Sequence, residues 1–357
     1  MPHAYNMTTQ LKISCLLIAL MLSASCAENK RPKPVQAPKA STLNPGREML
    51  KFNSGIRAIL HDSKGNYWFG SDQEGVCKYD GKTFAYYSPV NGFCGKQVIH
   101  IEEDTRGVIW FGTSSGLCSY DGVNFNVPEP DLPLNPGSVA ATELWFPGNQ
   151  RNQIIGIEQG NIHVYQSPLI VPEGENPANH GITGFSKGKN GNVWIAHYAG
   201  VIGFDGERSR HINNSTMHFD GKTRNMHVRS ILEDSKGRLW IGNNSIGVQL
   251  KEKDTIVDFS AKHGLAKGDV FAYPASPGTL LHVFAIHEDA QGNIWFGDRD
   301  TGAWRYDGNS MVNFTVDSTL GTQHIWDIYE DKNGNLLFAM AESSVYRFNG
   351  TGFERVF

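Results

Sequence analysis

The sequence has no excess of basic charge, few cysteines and no long amphipathic segment, and each absence removes a class of function. Its 32 Lys and Arg stand against 36 Asp and Glu, for a formal net charge of -4. Without a basic footprint, a nucleic-acid partner is not expected. Five cysteines in 357 residues are too few for a scaffold built on disulfides. No stretch keeps the 3.6-residue apolar period free of Gly or Pro, so long helices are not expected. The one compact apolar run, Ile13 to Leu22 interrupted by Ser14, is too short to span a bilayer. What the chain does have is 39 Gly and 11% aromatic residues, which suits many short strands joined by tight turns.

One phrase recurs along the chain: apolar-x-x-apolar, Asp-x-x-Gly, an apolar strand carrying Trp, then a Tyr-Asp-Gly turn. The clearest copies hold Asp62, Gly65, Trp68, Tyr79, Asp80 and Gly81, then Asp104, Gly107, Trp110, Tyr120, Asp121 and Gly122. Partial copies hold Trp194 with Phe204 and Asp205, Trp240 after Asp234, and Trp295 with Tyr306 and Asp307. A last copy has Asp331 and Gly334, with Leu337 in the tryptophan place. Trp68 and Trp110 stand 42 residues apart, as do Trp295 and Leu337. Trp110 and Trp194 stand 84 apart, and a degenerate unit on Leu144, Ile154 to Ile157 and Gly160 to Tyr165 fills the gap. This period, with four short strands per unit, predicts an all-β, seven-bladed β-propeller of four-stranded antiparallel blades over residues 47–357. Six blades is the alternative if the degenerate unit is only a loop.

Residues 1–26 read as a secretion signal, with Lys12 ahead of the apolar run and Ser-Ala-Ser-Cys ending at Cys26. That ending resembles a bacterial lipobox, although Ser23 holds the usual leucine place. The resemblance implies cleavage before Cys26, acylation of its thiol and a lipid-anchored protein of the cell envelope; plain secretion is the alternative. Either Met1 or Met7 is the start. Residues 27–46, with four prolines, read as an extended, solvated tether. Cys77 and Cys118 hold one column of successive blades, and Cys94 lies in a loop. A Cys77–Cys118 bridge is not expected, because equivalent columns of neighbouring sheets do not face each other; buried thiols are the expectation, with at most one disulfide open to the three sulfurs.

Each Asp-x-x-Gly is expected to close a turn, the carboxylate accepting its own backbone N–H groups and Gly taking positive φ. Each acid is alone in its turn, which favours structure over metal binding. Asp-Gly after Tyr79, Tyr120 and Tyr306 predicts two-residue hairpins between strands three and four. Both kinds of tight turn fall on one face of the disc. Connections from strand four to the next strand one fall on the other face and vary in length, Ala261 to His282 being the longest. Variable loops on a rigid scaffold are where binding resides.

Aligning the first strands by their apolar pair gives two columns near the channel mouth on the long-loop face. One is Gly55, Gln97, Ala140, Gly181, His227, His282 and His324; the other is Arg57, Ile99, Thr142, Thr183, Arg229, Phe284 and Trp326. The candidate ligand-binding residues are therefore Arg57, His227, Arg229, His282, Phe284, His324 and Trp326, extended by Arg299. Arg and His offer ionic hydrogen bonds to an anion, and aromatic faces stack on a sugar-like ring. A merely solvated mouth and a three-His metal site are the alternatives. No cofactor or metal is expected.

Val228–Gly242, V-R-S-I-L-E-D-S-K-G-R-L-W-I-G, and Phe284–Gly297, F-A-I-H-E-D-A-Q-G-N-I-W-F-G, resemble the two-component regulator propeller repeat, and the likeness covers about six of seven blades. It implies an extracytoplasmic sensor-type domain, often glycan-responsive, in membrane-bound histidine kinases or stand-alone envelope proteins. The repeat carries no ligand residues over. With Phe357 ending the last blade, phosphotransfer by this chain alone is not expected. His180-Gly181-Ile182-Thr183 and Gly191 to Ala196 are similar to the virginiamycin B lyase family, which implies elimination chemistry with His, Glu and magnesium. That family often reads W-F-T-E on strand two. Here the fourth place holds Ser71, Thr113, His197, Asn243 or Asp298, never Glu. The favoured reading is a non-enzymatic propeller binding a glycan, peptide or envelope protein. The alternatives are a metal-dependent lyase or hydrolase and an assembly scaffold.

Overall fold

The repeats fold into seven radial sheets, one per repeat. Residues 35–36, 49–129, 132–133, 142–148, 150–168, 170–171, 174, 176–177, 180–188, 192–204, 209–219, 224–269 and 272–357 are described in this computed structural model. The signal, Cys26 and most of the tether lie outside the described residues. Blade 1 comprises Ile56–His61, Tyr67–Ser71, Val76–Tyr79 and Phe84–Tyr87, paired in that order. Blades 2 and 4 to 7 begin at Val98, Ile182, Val228, Val283 and Ile325 and follow the same antiparallel order. Blade 3 departs from the rule. Leu144–Pro147, Gln153–Glu158 and Asn161–Gln166 are antiparallel, but its outer place is taken by Leu132–Pro133, which precedes them and pairs parallel. Val35–Gln36 adds a short fifth strand to blade 2.

Second strands such as Ile109–Thr113 and Leu239–Asn243 are buried along their whole length, because both faces meet another blade. The core accordingly lies between blades. Among the described residues the buried apolar side chains form seven clusters, each spanning one blade boundary. Trp68, Trp110, Trp194, Trp240 and Trp295 each sit in the cluster shared with the following blade.

The Asp-x-x-Gly turns form as expected, with Gly65 at φ 82°. Asp234 Oδ1 accepts the N–H groups of Lys236 and Arg238 at 2.9 Å. Its Oδ2 accepts the Trp240 indole N–H at 2.8 Å, a bond the sequence reading did not anticipate. The same indole bond recurs at Asp62, Asp104 and Asp289. The carboxylate therefore locks its turn to the tryptophan it precedes.

The glutamate just before that aspartate reaches the neighbouring blade. Glu103, Glu288 and Glu330 accept the N–H groups of Ser63, Ser235 and Ala290 in the preceding blade's turn. The hairpin expectation needs correction. The turn between strands three and four of blade 1 occupies Asp80–Thr83, with Tyr79 paired to Phe84. The Asp80 carboxylate accepts the N–H groups of Lys82 and Thr83, which makes a four-residue connection with Gly81 at φ 90°.

Cys94 and Cys118 form a disulfide with Cα atoms 6.1 Å apart, so they are not free thiols. Cys77 is free and buried. The loop carrying Cys94 folds back over blade 2, a path that no periodicity reveals.

Blades 7 and 1 close the ring without exchanging a strand. Ile59 N–H donates to Asp327 Oδ2, and His61 N–H to the Tyr329 hydroxyl, both at 3.0 Å. The Phe357 ring packs 4.7 Å from that of Phe69, 5.3 Å from Tyr67 and 5.5 Å from Tyr79.

Candidate functional site

In six blades the first strand carries a register shift between its first and third residues. A β-bulge leaves its extra residue outside the ladder and re-aims that side chain. The extra residues are Arg57, Ile99, Thr183, Arg229, Phe284 and Trp326, the column that sequence alignment had singled out. All six line one axial cavity of about 450 Å³. Blade 3 has no such bulge, and Thr142 is fully buried beside Tyr165 rather than in the cavity.

The Arg57 guanidinium lies 4.0 Å from the Trp326 ring centroid. It pairs with Asp72 at 2.9 Å, and Gln97 donates to the same carboxylate. Arg229 is held differently. It lies 5.3 Å from the Tyr198 ring and 5.2 Å from the Phe284 ring, and no carboxylate pairs with it among the described residues. Burial, and then nearby Arg57, lowers its proton affinity, while Tyr198 raises it. A cation seated between aromatic faces with no counter-ion is a ready partner for an incoming anion.

The three histidines do not converge. His324 stacks on Trp326 at 4.3 Å and meets Phe284 edge-on at 4.6 Å, which fixes the orientation of both aromatic faces. His227 lies 3.7 Å from the Tyr198 ring. His282 Nδ1 is 2.9 Å from Asn244 Oδ1, and the residue is 2% exposed. Burial is the leading cause of their low pKa values, about 3 for His227 and His324 and about 4 for His282. Each imidazole is therefore neutral at pH 7. No group of three metal-binding side chains is gathered among the described residues. Arg299 also stands apart from the cavity lining. It makes a two-pronged bond to Asp300 at 2.9 and 2.8 Å, and Asp300 accepts the Ala275 N–H, which pins the longest loop.

Sequence reasoning missed a deeper layer on the same strands. His100 and Asp327 are third residues, Glu102 and Tyr329 fifth residues, and all four line the cavity. Burial, and then Asp327, pushes the Glu102 carboxyl up to about 7, although its side chain is exposed in the cavity. Burial likewise raises Asp327 to about 6 and lowers His100 to about 4. Alternation along Val98–Glu103 could have flagged Glu102, but its place beside Glu103 and Asp104 makes it read as part of the turn.

Asp298 stands where the lyase family has Glu. It is fully buried and accepts the N–H groups of His282, Asp300 and Thr301, so its oxygens serve the backbone.

A seven-bladed propeller with a mixed cationic and aromatic axial cavity is the class that fold and site define. Residues 50–73, 223–245 and 279–300, in blades 1, 5 and 6, match the two component regulator propeller model. No curated protein matches the sequence. Among solved structures, the extracellular domain of the hybrid two component system BT3049 from B. thetaiotaomicron is similar, with 20% identity and a TM-score of 0.57. That match covers 87% of this chain and 41% of the other, so this chain spans about two fifths of its length. A catalytically inactive virginiamycin B lyase from Staphylococcus aureus, with quinupristin, aligns at 14% identity and a TM-score of 0.56, covering 86% of this chain and 97% of the lyase. At these identities the likeness is one of fold.

Proposed function

We propose that the chain is a non-enzymatic recognition module of the bacterial cell envelope that takes an anionic, ring-bearing ligand at its channel mouth. The observation that carries this reading is Arg229, a cation between two aromatic faces with no carboxylate partner among the described residues. Phe284, Trp326 and Arg57 continue the wall through the next three blades, and His227 and His324 orient the aromatic rings. His282 and Arg299 hold the surrounding loops. The ligand class is an acidic glycan or peptide, or an acidic segment of an envelope protein.

The matches to the two component regulator propeller model support a sensor-like role. The fold shared with an extracellular domain and the Cys94–Cys118 disulfide support an oxidising, extracytoplasmic setting. No helix among the described residues is long and apolar enough to cross a membrane, and anchoring through acylated Cys26 completes the proposal. The test is an array of acidic glycans and acidic peptides probed with wild type, Arg229→Gln and Trp326→Ala. A charged hydrogen bond is worth about 1.5–3 kcal/mol, so at least tenfold weaker binding is expected from Arg229→Gln. Binding unchanged in both variants removes the cavity from the site. Cys26→Ala is expected to move the protein out of the membrane fraction; full retention overturns the anchor.

A further inference from the structure

The cavity carries charge of both signs, and the two are kept apart. Arg229 and Glu102 both line it. The Glu102 side chain is exposed in the cavity and makes no side-chain hydrogen bond or ion pair among the described residues. Arg229 is the second residue of Val228–Glu233 and Glu102 the fifth of Val98–Glu103. The bulge at Arg229 adds no full step to the ladder, so at roughly 3.3 Å of rise per step their levels along the channel differ by about 8 Å, and no ion pair joins the two among the described residues. Asp327 lies between those levels, one oxygen accepting the Ile59 N–H, and adds negative charge to the lower end. Phe284 and Trp326 supply apolar wall beside the upper end.

We infer that the occupant is a short zwitterion, a peptide of two or three residues with free termini. Its carboxylate meets Arg229, and its ammonium meets Glu102 and Asp327. This rests on the reading of the cavity as a ligand site and narrows it to one class. An extended peptide spans at most about 3.3–3.6 Å per residue, so a tripeptide covers the offset between the charged levels. A volume of about 450 Å³ falls in the range of small-molecule pockets, about 300–1,000 Å³. An acidic glycan without an amine leaves Glu102 unmet.

The experiment is equilibrium dialysis of the full chain against three synthetic tripeptide pools of mixed sequence: free termini, N-acetylated and C-amidated. The free pool is expected to be retained at least tenfold better than either capped pool. Glu102→Gln is expected to erase the penalty for acetylation alone, and Arg229→Gln the penalty for amidation alone. Thermal melts of both variants confirm that they are folded. Equal retention of free and acetylated pools, with the amidated pool lost, overturns the zwitterion and leaves the anion site standing. Retention of no pool, alongside Arg229-dependent capture of an acidic oligosaccharide, also overturns it. Failure of peptides and oligosaccharides alike overturns both readings.

Discussion

Asp234 shows how one residue type can look like a metal ligand and act as a clamp. Burial pushes its carboxyl up, but bonds from the Trp240 indole, the Arg238 N–H and the Arg238 side chain bring it below the usual carboxylate range. Each of its oxygens accepts two bonds inside the repeat. Asp234→Ala leaves the buried Trp240 indole N–H unmet, a loss that costs about 1–3 kcal/mol, and frees the N–H groups of an exposed turn to water. A loss in that range is expected, read as a lower denaturant midpoint. Trp240→Phe, which removes the indole bond but keeps most of the buried ring, is expected to cost less. Chelation is expected to leave the melting temperature in place; a fall on adding chelator points to ions in the turns.

At the scale of the strand, the Trp-apolar-Gly run explains how blades approach. A Cβ added to Gly297 comes within 2.6 Å of Ile325 Cγ2 on the next blade, so glycine here permits contact between sheets. Gly297→Ala is expected to overpack that boundary by about 1–3 kcal/mol, measured by chemical denaturation. The repeat was legible because Trp and Asp recur with period, and the mouth column was legible because apolar pairs set its register. The bulge that turns Arg57, Arg229 and Trp326 inward was not, since it is a shift in pairing and leaves no composition mark. Blade 3 lacks both Asp-x-x-Gly and bulge, so alignment placed Thr142 in the wrong layer.

The disulfide was hidden for a related reason: a loop has no period from which Cys94 can be located. It closes a sequence separation of 24 residues, which in the chain-entropy account gives roughly 3 kcal/mol. Cys94→Ser and Cys118→Ser are each expected to lose about that much, and the double variant no more than either. A double variant with summed losses means that the sulfurs act independently.

The whole ring joins two opposing titrations, and their sum sets its response to pH. His100, His227, His282 and His324 bind protons less readily folded than their usual 6.5. They therefore withdraw stability as pH falls below about 6.5. Glu102 and Asp327 do the reverse, because burial raises them from 4.5 to about 7 and from 3.8 to about 6. The folded state keeps their protons longer than the unfolded chain, so their contribution is present in acid and lost as pH rises through those values. Between about pH 4 and 7.5 the two groups oppose each other, because unfolded imidazoles of ordinary pKa are still half protonated at about pH 6.5. The net direction depends on both sets, His197 and Asp298 included. Comparison with Glu102→Gln isolates the carboxyl: between about pH 6.5 and 8 the wild type is expected to lose melting temperature relative to the variant. The exposed side chain is screened by solvent, so the relative fall is small, ~1–2 °C. An unchanged slope in the variant shows that Glu102 is ordinarily ionised, and that the lower end of the cavity carries a full negative charge throughout.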